Sequence, residues 1–102
     1  MSTPDRTLIV RPQAAFELDA AFAYYEQQRA GLGTDFLLAV DEAFAALLAH
    51  PETGREITPR IRRSLLRRFP YGLIYHVTGE DITVYAVAHM RRKPGYWRGR
   101  TS

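Results

Sequence analysis

His89, Arg91, Arg92, Lys93, Tyr96, Trp97, Arg98 and Arg100 crowd into one short run, "AVAHMRRKPGYWRGR" (residues 86–100). These side chains match the needs of metal-free phosphodiester cleavage. A base takes the 2′-hydroxyl proton of RNA, an acid protonates the leaving oxygen, and cations stabilise the charge that develops. His89, Arg91 and Tyr96 are the candidates for those catalytic roles. The same residues serve equally well as a surface that holds an acidic partner without cutting it. Arg62, Arg63, Arg67 and Arg68 lie upstream in "IRRSLLRRF" and extend the candidate basic face, which takes in Arg91, Arg92, Lys93, Trp97 and Arg98. Trp97 and Tyr96 follow the Pro94-Gly95 turn signal, so an alternative job for them is to fold back and anchor the tail. The three histidines and scattered carboxylates lack ligand spacing, so no metal is expected, and no motif calls for a cofactor.

Charge is distributed unevenly along the chain. Residues 1–58 hold four arginines against nine acids, a net of −5; residues 59–102 hold ten basic residues against Glu80 and Asp81, a net of +8. Lys93 is the only lysine among the 14 basic residues. Arginine binds phosphate and carboxylate bidentately, so a basic half of this composition points to nucleic acid or an acidic protein. With 102 residues the chain is expected to form a single domain, 1–102, with one core. The absence of cysteine excludes disulfides and thiolate metal sites. No apolar run reaches the roughly 18 residues of a membrane helix, and no secretory h-region follows Met1, so a soluble cytoplasmic protein with no membrane partner is expected.

Positioning the basic residues falls to a small set of elements. "TLIV" (residues 7–10) reads as a strand, and Pro12 suits the first turn of a helix in which Ala15, Leu18, Phe22 and Tyr25 share one face. Gly31 and Gly33 break that helix. Thr34 or Asp35 is the expected cap of a second one, with Phe36, Val40, Phe44, Leu47 and Leu48 as its apolar stripe. His50-Pro51 ends it, and "PETGREITPR" reads as a loop. Three strands follow: "IRRSLLRRF", "YGLIYHV" and "ITVYAVAHM", the last two joined by a tight turn with Gly79 at its first central position. That turn pairs Val77 with Ile82, Tyr75 with Val84 and Leu73 with Ala86 on the face packed against the helices. The opposite face is then expected to carry His76, Tyr85 and His89 with Ile74 and Val87. The expected fold is α+β, β-α-α-β-β-β, with a helical hairpin packed on one face of an antiparallel sheet.

Over nearly its whole length the chain resembles the RelE/ParE toxins of bacterial type II toxin–antitoxin modules. The likeness is sharpest in "RRFPYGLIY" followed by "ITVYAVAHMRR". It implies a toxin neutralised by a cognate antitoxin whose acidic segment wraps the basic half, with the apolar helix faces offering a groove for an antitoxin helix. RelE-like members cut mRNA on the ribosome, without metal, through sheet lysines and a C-terminal Arg and Tyr; ParE-like members lack that set and poison DNA gyrase. His89 and Arg91 match the strand-final His and following Arg of the ParE pattern, although Arg92-Lys93 replaces the Met-Asp that often follows. The sheet lysines of RelE have no counterpart, and arginines cannot replace them as bases. The resemblance therefore leans to a ParE-like growth inhibitor acting on gyrase, without a catalytic site. A ribosome-dependent mRNA endoribonuclease using His89, Arg91 and Tyr96 is the alternative, and a non-toxic basic binding module a further one.

Overall fold

A computed structural model describes residues 6–101. The order is β1 (Thr7–Val10), α1 (Pro12–Gln28), α2 (Leu32–Ala49), β2 (Arg55–Thr58), β3 (Ile61–Leu65), β4 (Tyr71–Thr78) and β5 (Asp81–His89), with single 3₁₀ turns at Pro51–Thr53 and Arg98–Arg100. The sheet runs β1-β5-β4-β3-β2. Both helices cover one face, giving the expected α+β sandwich. None of the described helices is long and apolar enough to cross a membrane.

Two features of the sheet depart from expectation. Arg55–Thr58 is a strand rather than loop, pairing antiparallel with β3. The sheet is also mixed, because β1 lies parallel to β5. The chain leaves β1 through the helical hairpin, reaches the far edge, and winds back by antiparallel steps until β5 meets β1. No local signal specifies a pairing between strands more than seventy residues apart.

Pro12 begins α1, as read from the sequence. The inward face of α1 is Ala14, Leu18, Ala21 and Tyr25; Ala15 and Phe22 sit to its side, half-buried. Helix α2 buries Phe36, Val40 and Leu47 fully, as its stripe requires. Its start differs from expectation. Gly31, at φ 90°, is the N-cap, and the Glu26 carboxylate of α1 accepts the N–H groups of Gly31 and Gly33 at 3.0 and 2.9 Å. One helix thus caps the next, and neither Thr34 nor Asp35 does so.

The strand expected over "IRRSLLRRF" is β3, and it stops at Leu65. Leu66 and Phe69, three residues apart, both turn into the core, which a straight strand of period two cannot do. The chain bends instead, with Arg68 at φ 72° and Arg67 and Arg68 left outside.

The β4–β5 hairpin has its expected tight turn, with Gly79 at φ 58°. The register holds for Val77 with Ile82 and Tyr75 with Val84, then shifts: Ile74 faces Ala86 and Leu73 faces Val87. Tyr85 is the extra residue of a β-bulge, which reverses the facing of everything after it. Val87 and His89 therefore turn toward the helices, and Ala86 and Ala88 toward the open face, the opposite of the expected arrangement. His89 lies with its ring 5.0 Å from Tyr71, while His76 stays on the other face, so the two histidines do not share a surface.

Candidate functional site

The small side chains that the bulge places on the open face, Ala86 and Ala88, leave a slot beside Ile61 and Ile74. Trp97 fills it and is only 5% exposed. The residues after β5 therefore do not project as a free arm. They turn at Gly95 (φ 78°), seat Trp97 on the sheet and return toward α1. Trp97 does fold back and anchor the tail, as the Pro94-Gly95 turn led one to expect.

Glu17 holds the other end of that anchor. Strand β1 pairs with β5 only as far as Val84, so beyond that point one edge of β5 lacks a neighbouring strand. Glu17 Oε1 accepts the Val87 N–H at 3.0 Å, and Arg100 Nη1 donates to the Tyr85 carbonyl at 3.1 Å. The two side chains also join each other, Nη1 to Oε1 at 2.9 Å and Nη2 to Oε2 at 3.2 Å. A carboxylate–guanidinium pair thus stands in for the missing strand. Tyr96 adds its hydroxyl, donated to Glu17 Oε2 at 2.7 Å. The Arg92 guanidinium stacks over the Tyr96 ring at 3.8 Å and reaches only to 4.0 Å from Glu17, so stacking is its main contact. Glu17 was missing from the candidates because its partners lie 70 to 83 residues away in the chain.

This arrangement bears directly on acid–base chemistry. Burial raises the Tyr96 pKa first, and the hydrogen bond to Glu17 and its negative charge raise it further; Arg92 and Arg100 offset this only in part. A phenol held protonated and donating to a carboxylate is poorly placed as a general base. His89 uses Nδ1 to accept the Arg91 N–H at 3.0 Å, which leaves Nε2 as its remaining ring nitrogen.

The arginines divide into two groups. Arg62 donates to the carbonyls of Glu52 and Gly54 at 3.0 and 2.6 Å and braces the α2–β2 connection. Arg68 pairs with Asp35 at 3.6 Å, and Arg92 is committed to Tyr96. Arg63, Arg67, Arg91, Lys93 and Arg98 have no carboxylate within 4.0 Å among the described residues. They do not form one surface. Arg63 faces the open side of the sheet through its pairing with Ile74, whereas Arg62 faces the helices through Tyr75. Arg63, Lys93 and Arg98 converge on the cleft beside Trp97, with Arg91 exposed at the turn nearby and Arg67 on the β3–β4 bend.

A separate apolar surface lies on α1. Phe16, Ala20 and Tyr24 recur at four-residue spacing; Phe16 is 74% and Tyr24 56% exposed. With Pro70, Tyr71 and His89 they line a groove of about 590 Å³. Leu18 and Tyr25 of the α1 face read from the sequence, and Phe36, Val40 and Leu47 of the α2 face, pack into the core, whereas this neighbouring stripe stays open.

No curated protein matches the chain. Among solved structures, a chain from the "Chromosomal ParDE TA system from P. aeruginosa" superposes with a TM-score of 0.73 at 22% identity, covering 84% of this chain and 97% of that one. At that identity the likeness establishes the fold. The family model described as "ParE toxin of type II toxin-antitoxin system, parDE" matches residues 8–94. That span takes in both helices, strands β2 to β5 and the His89/Arg91 turn, and the chain belongs to the ParE toxin family of type II toxin–antitoxin systems.

Proposed function

We propose that this chain is a cytoplasmic toxin that arrests growth by binding DNA gyrase, and that a cognate antitoxin with an acidic segment neutralises it. Family membership supports the toxin role. The observation that favours binding over RNA cleavage is the engagement of Tyr96: its hydroxyl donates to Glu17 and its pKa is raised, so it is held as a structural donor. The target-facing residues are the unpaired cations Arg63, Arg67, Arg91, Lys93 and Arg98, with Arg62, Arg68, Arg92 and Trp97 shaping the surface that presents them. The Phe16–Ala20–Tyr24 stripe is the groove for an amphipathic antitoxin helix, whose acidic extension then reaches the basic face.

Purified toxin should block gyrase supercoiling of relaxed plasmid, and Arg91→Ala should weaken that block while leaving the fold intact. No inhibition at saturating toxin refutes the gyrase target. Codon-positioned mRNA cuts on ribosomes, lost in Tyr96→Phe, would establish the endoribonuclease instead. Unaffected growth on expression of the chain alone would leave a non-toxic binding module.

A further inference from the structure

We propose that the cleft between the open sheet face and the C-terminal tail is a binding site for a phosphate group, recognised without its base or sugar. It has a volume of about 230 Å³ and a floor of Ile74, Ala88 and Trp97. Arg63, Lys93 and Arg98 line it, together with His89 and with Arg92, which is stacked on Tyr96, and no carboxylate does. Among the described residues Arg63, Lys93 and Arg98 have no carboxylate partner.

Two glycines shape the cleft. The Arg63 stem lies flat across Gly72, where a Cβ would come within 3.0 Å of Arg63 Cγ. Gly95, at φ 78°, makes the turn that folds Arg98 back, and a Cβ there would meet Arg98 Nε at 2.9 Å. Outside the lining, Arg55 of strand β2 sits directly opposite Arg63 in the β2–β3 ladder. Like charges at opposed positions destabilise a sheet unless something compensates them. An anion in the cleft would supply that compensation.

The chemistry favours phosphate over carboxylate. Two guanidinium forks and an ammonium offer more donors and more charge than one carboxylate can use, whereas a phosphate dianion has three acceptor oxygens. It also argues against a base. Trp97 is buried against the sheet, and Arg92 and Arg100 already lie against the Tyr96 ring, at 3.8 and 5.1 Å, so neither of the two aromatic rings lining the cleft is offered freely for stacking. Gly95, Trp97 and Arg98 lie beyond the residues that the family model matches, so the cleft is not implied by membership of the family. The proposal is also independent of which target the toxin binds.

Trp97 is the chain's single tryptophan and lines the cleft, so its emission reports on occupancy. The whole chain should be titrated at constant ionic strength with inorganic phosphate, pyrophosphate, AMP and adenosine, following Trp97 fluorescence and calorimetry. Saturable binding is expected for the three phosphate compounds and none for adenosine. Pyrophosphate is expected to bind at least as tightly as AMP, and AMP tighter than pyrophosphate would show recognition of base or sugar and overturn the proposal. Arg63→Gln and Arg98→Gln should each weaken binding about tenfold or more, as the loss of a charge-assisted hydrogen bond does. Arg29→Gln removes the same charge from the exposed end of α1 and should leave binding unchanged. Arg98 is exposed, so its variant carries the test if Arg63→Gln disturbs the sheet. Absence of saturable binding, an equal loss in Arg29→Gln, or binding of adenosine as tight as AMP overturns the proposal.

Discussion

Replacing Glu17 by alanine should cost far more than its place on a helix surface suggests. The substitution strips the acceptor from the Val87 N–H, whose residue is 2% exposed, and from the Tyr96 hydroxyl. Each buried donor left without a partner costs about 1–3 kcal/mol. Arg100, with its side chain 19% exposed, also loses the carboxylate that balances its charge. Water reaching the opened edge recovers part of this, so a net loss of about 3 kcal/mol is expected. That is a large share of the roughly 5–15 kcal/mol that stabilises a domain. In a domain of this size it lowers Tm by roughly 12–24 °C. Urea and thermal unfolding followed by circular dichroism measure it directly. A double-mutant cycle with Tyr96→Phe should return a coupling of about 1 kcal/mol or more, because both changes act on the same hydrogen bond. A loss below about 1 kcal/mol for Glu17→Ala, or additive effects in the cycle, would refute the idea that this carboxylate closes the sheet edge and holds the tail.

Three further outcomes follow from other sites. The folded-state pKa of Tyr96 lies above its ordinary value of 10.0, so the stability it contributes is fully present below pH 10 and is lost as pH rises beyond that; Tyr96→Phe should unfold less steeply with alkaline pH than the parent. Glu26→Ala removes the acceptor for the first N–H groups of α2 and should cost about 0.5–2 kcal/mol in urea denaturation, whereas Thr34→Ala should have little effect. Gly54→Ala drives a methyl into the buried Tyr75 hydroxyl, which donates to the Pro51 carbonyl at 2.6 Å and accepts the Gly54 N–H at 2.9 Å. A loss of about 1–3 kcal/mol is expected there, and a variant as stable as the parent would show that the α2–β2 connection can move aside.

The residues themselves carried much of this protein. The helical hairpin follows from a Pro-led apolar stripe, a glycine break and a second stripe, all signals within one or two turns. The β4–β5 hairpin follows from alternation and from a glycine able to take positive φ. The sharp shift from net acidic to net basic at residue 59 pointed to an acidic partner, and the strand-final His89 and Arg91 pointed to the family. What only the tertiary structure decided depends on groups far apart in the chain. The bulge at Tyr85 satisfies two faces at once, and it alone separates His89 from His76 and makes room for Trp97. The mixed sheet arises because β5, the last strand laid down, closes against the first. The division of the arginines into braces and free cations is set by which carboxylates and carbonyls come within reach after folding. Glu17 shows the limit most plainly: in sequence it is one acid between Phe16 and Leu18, and in the fold it takes the place of a missing strand.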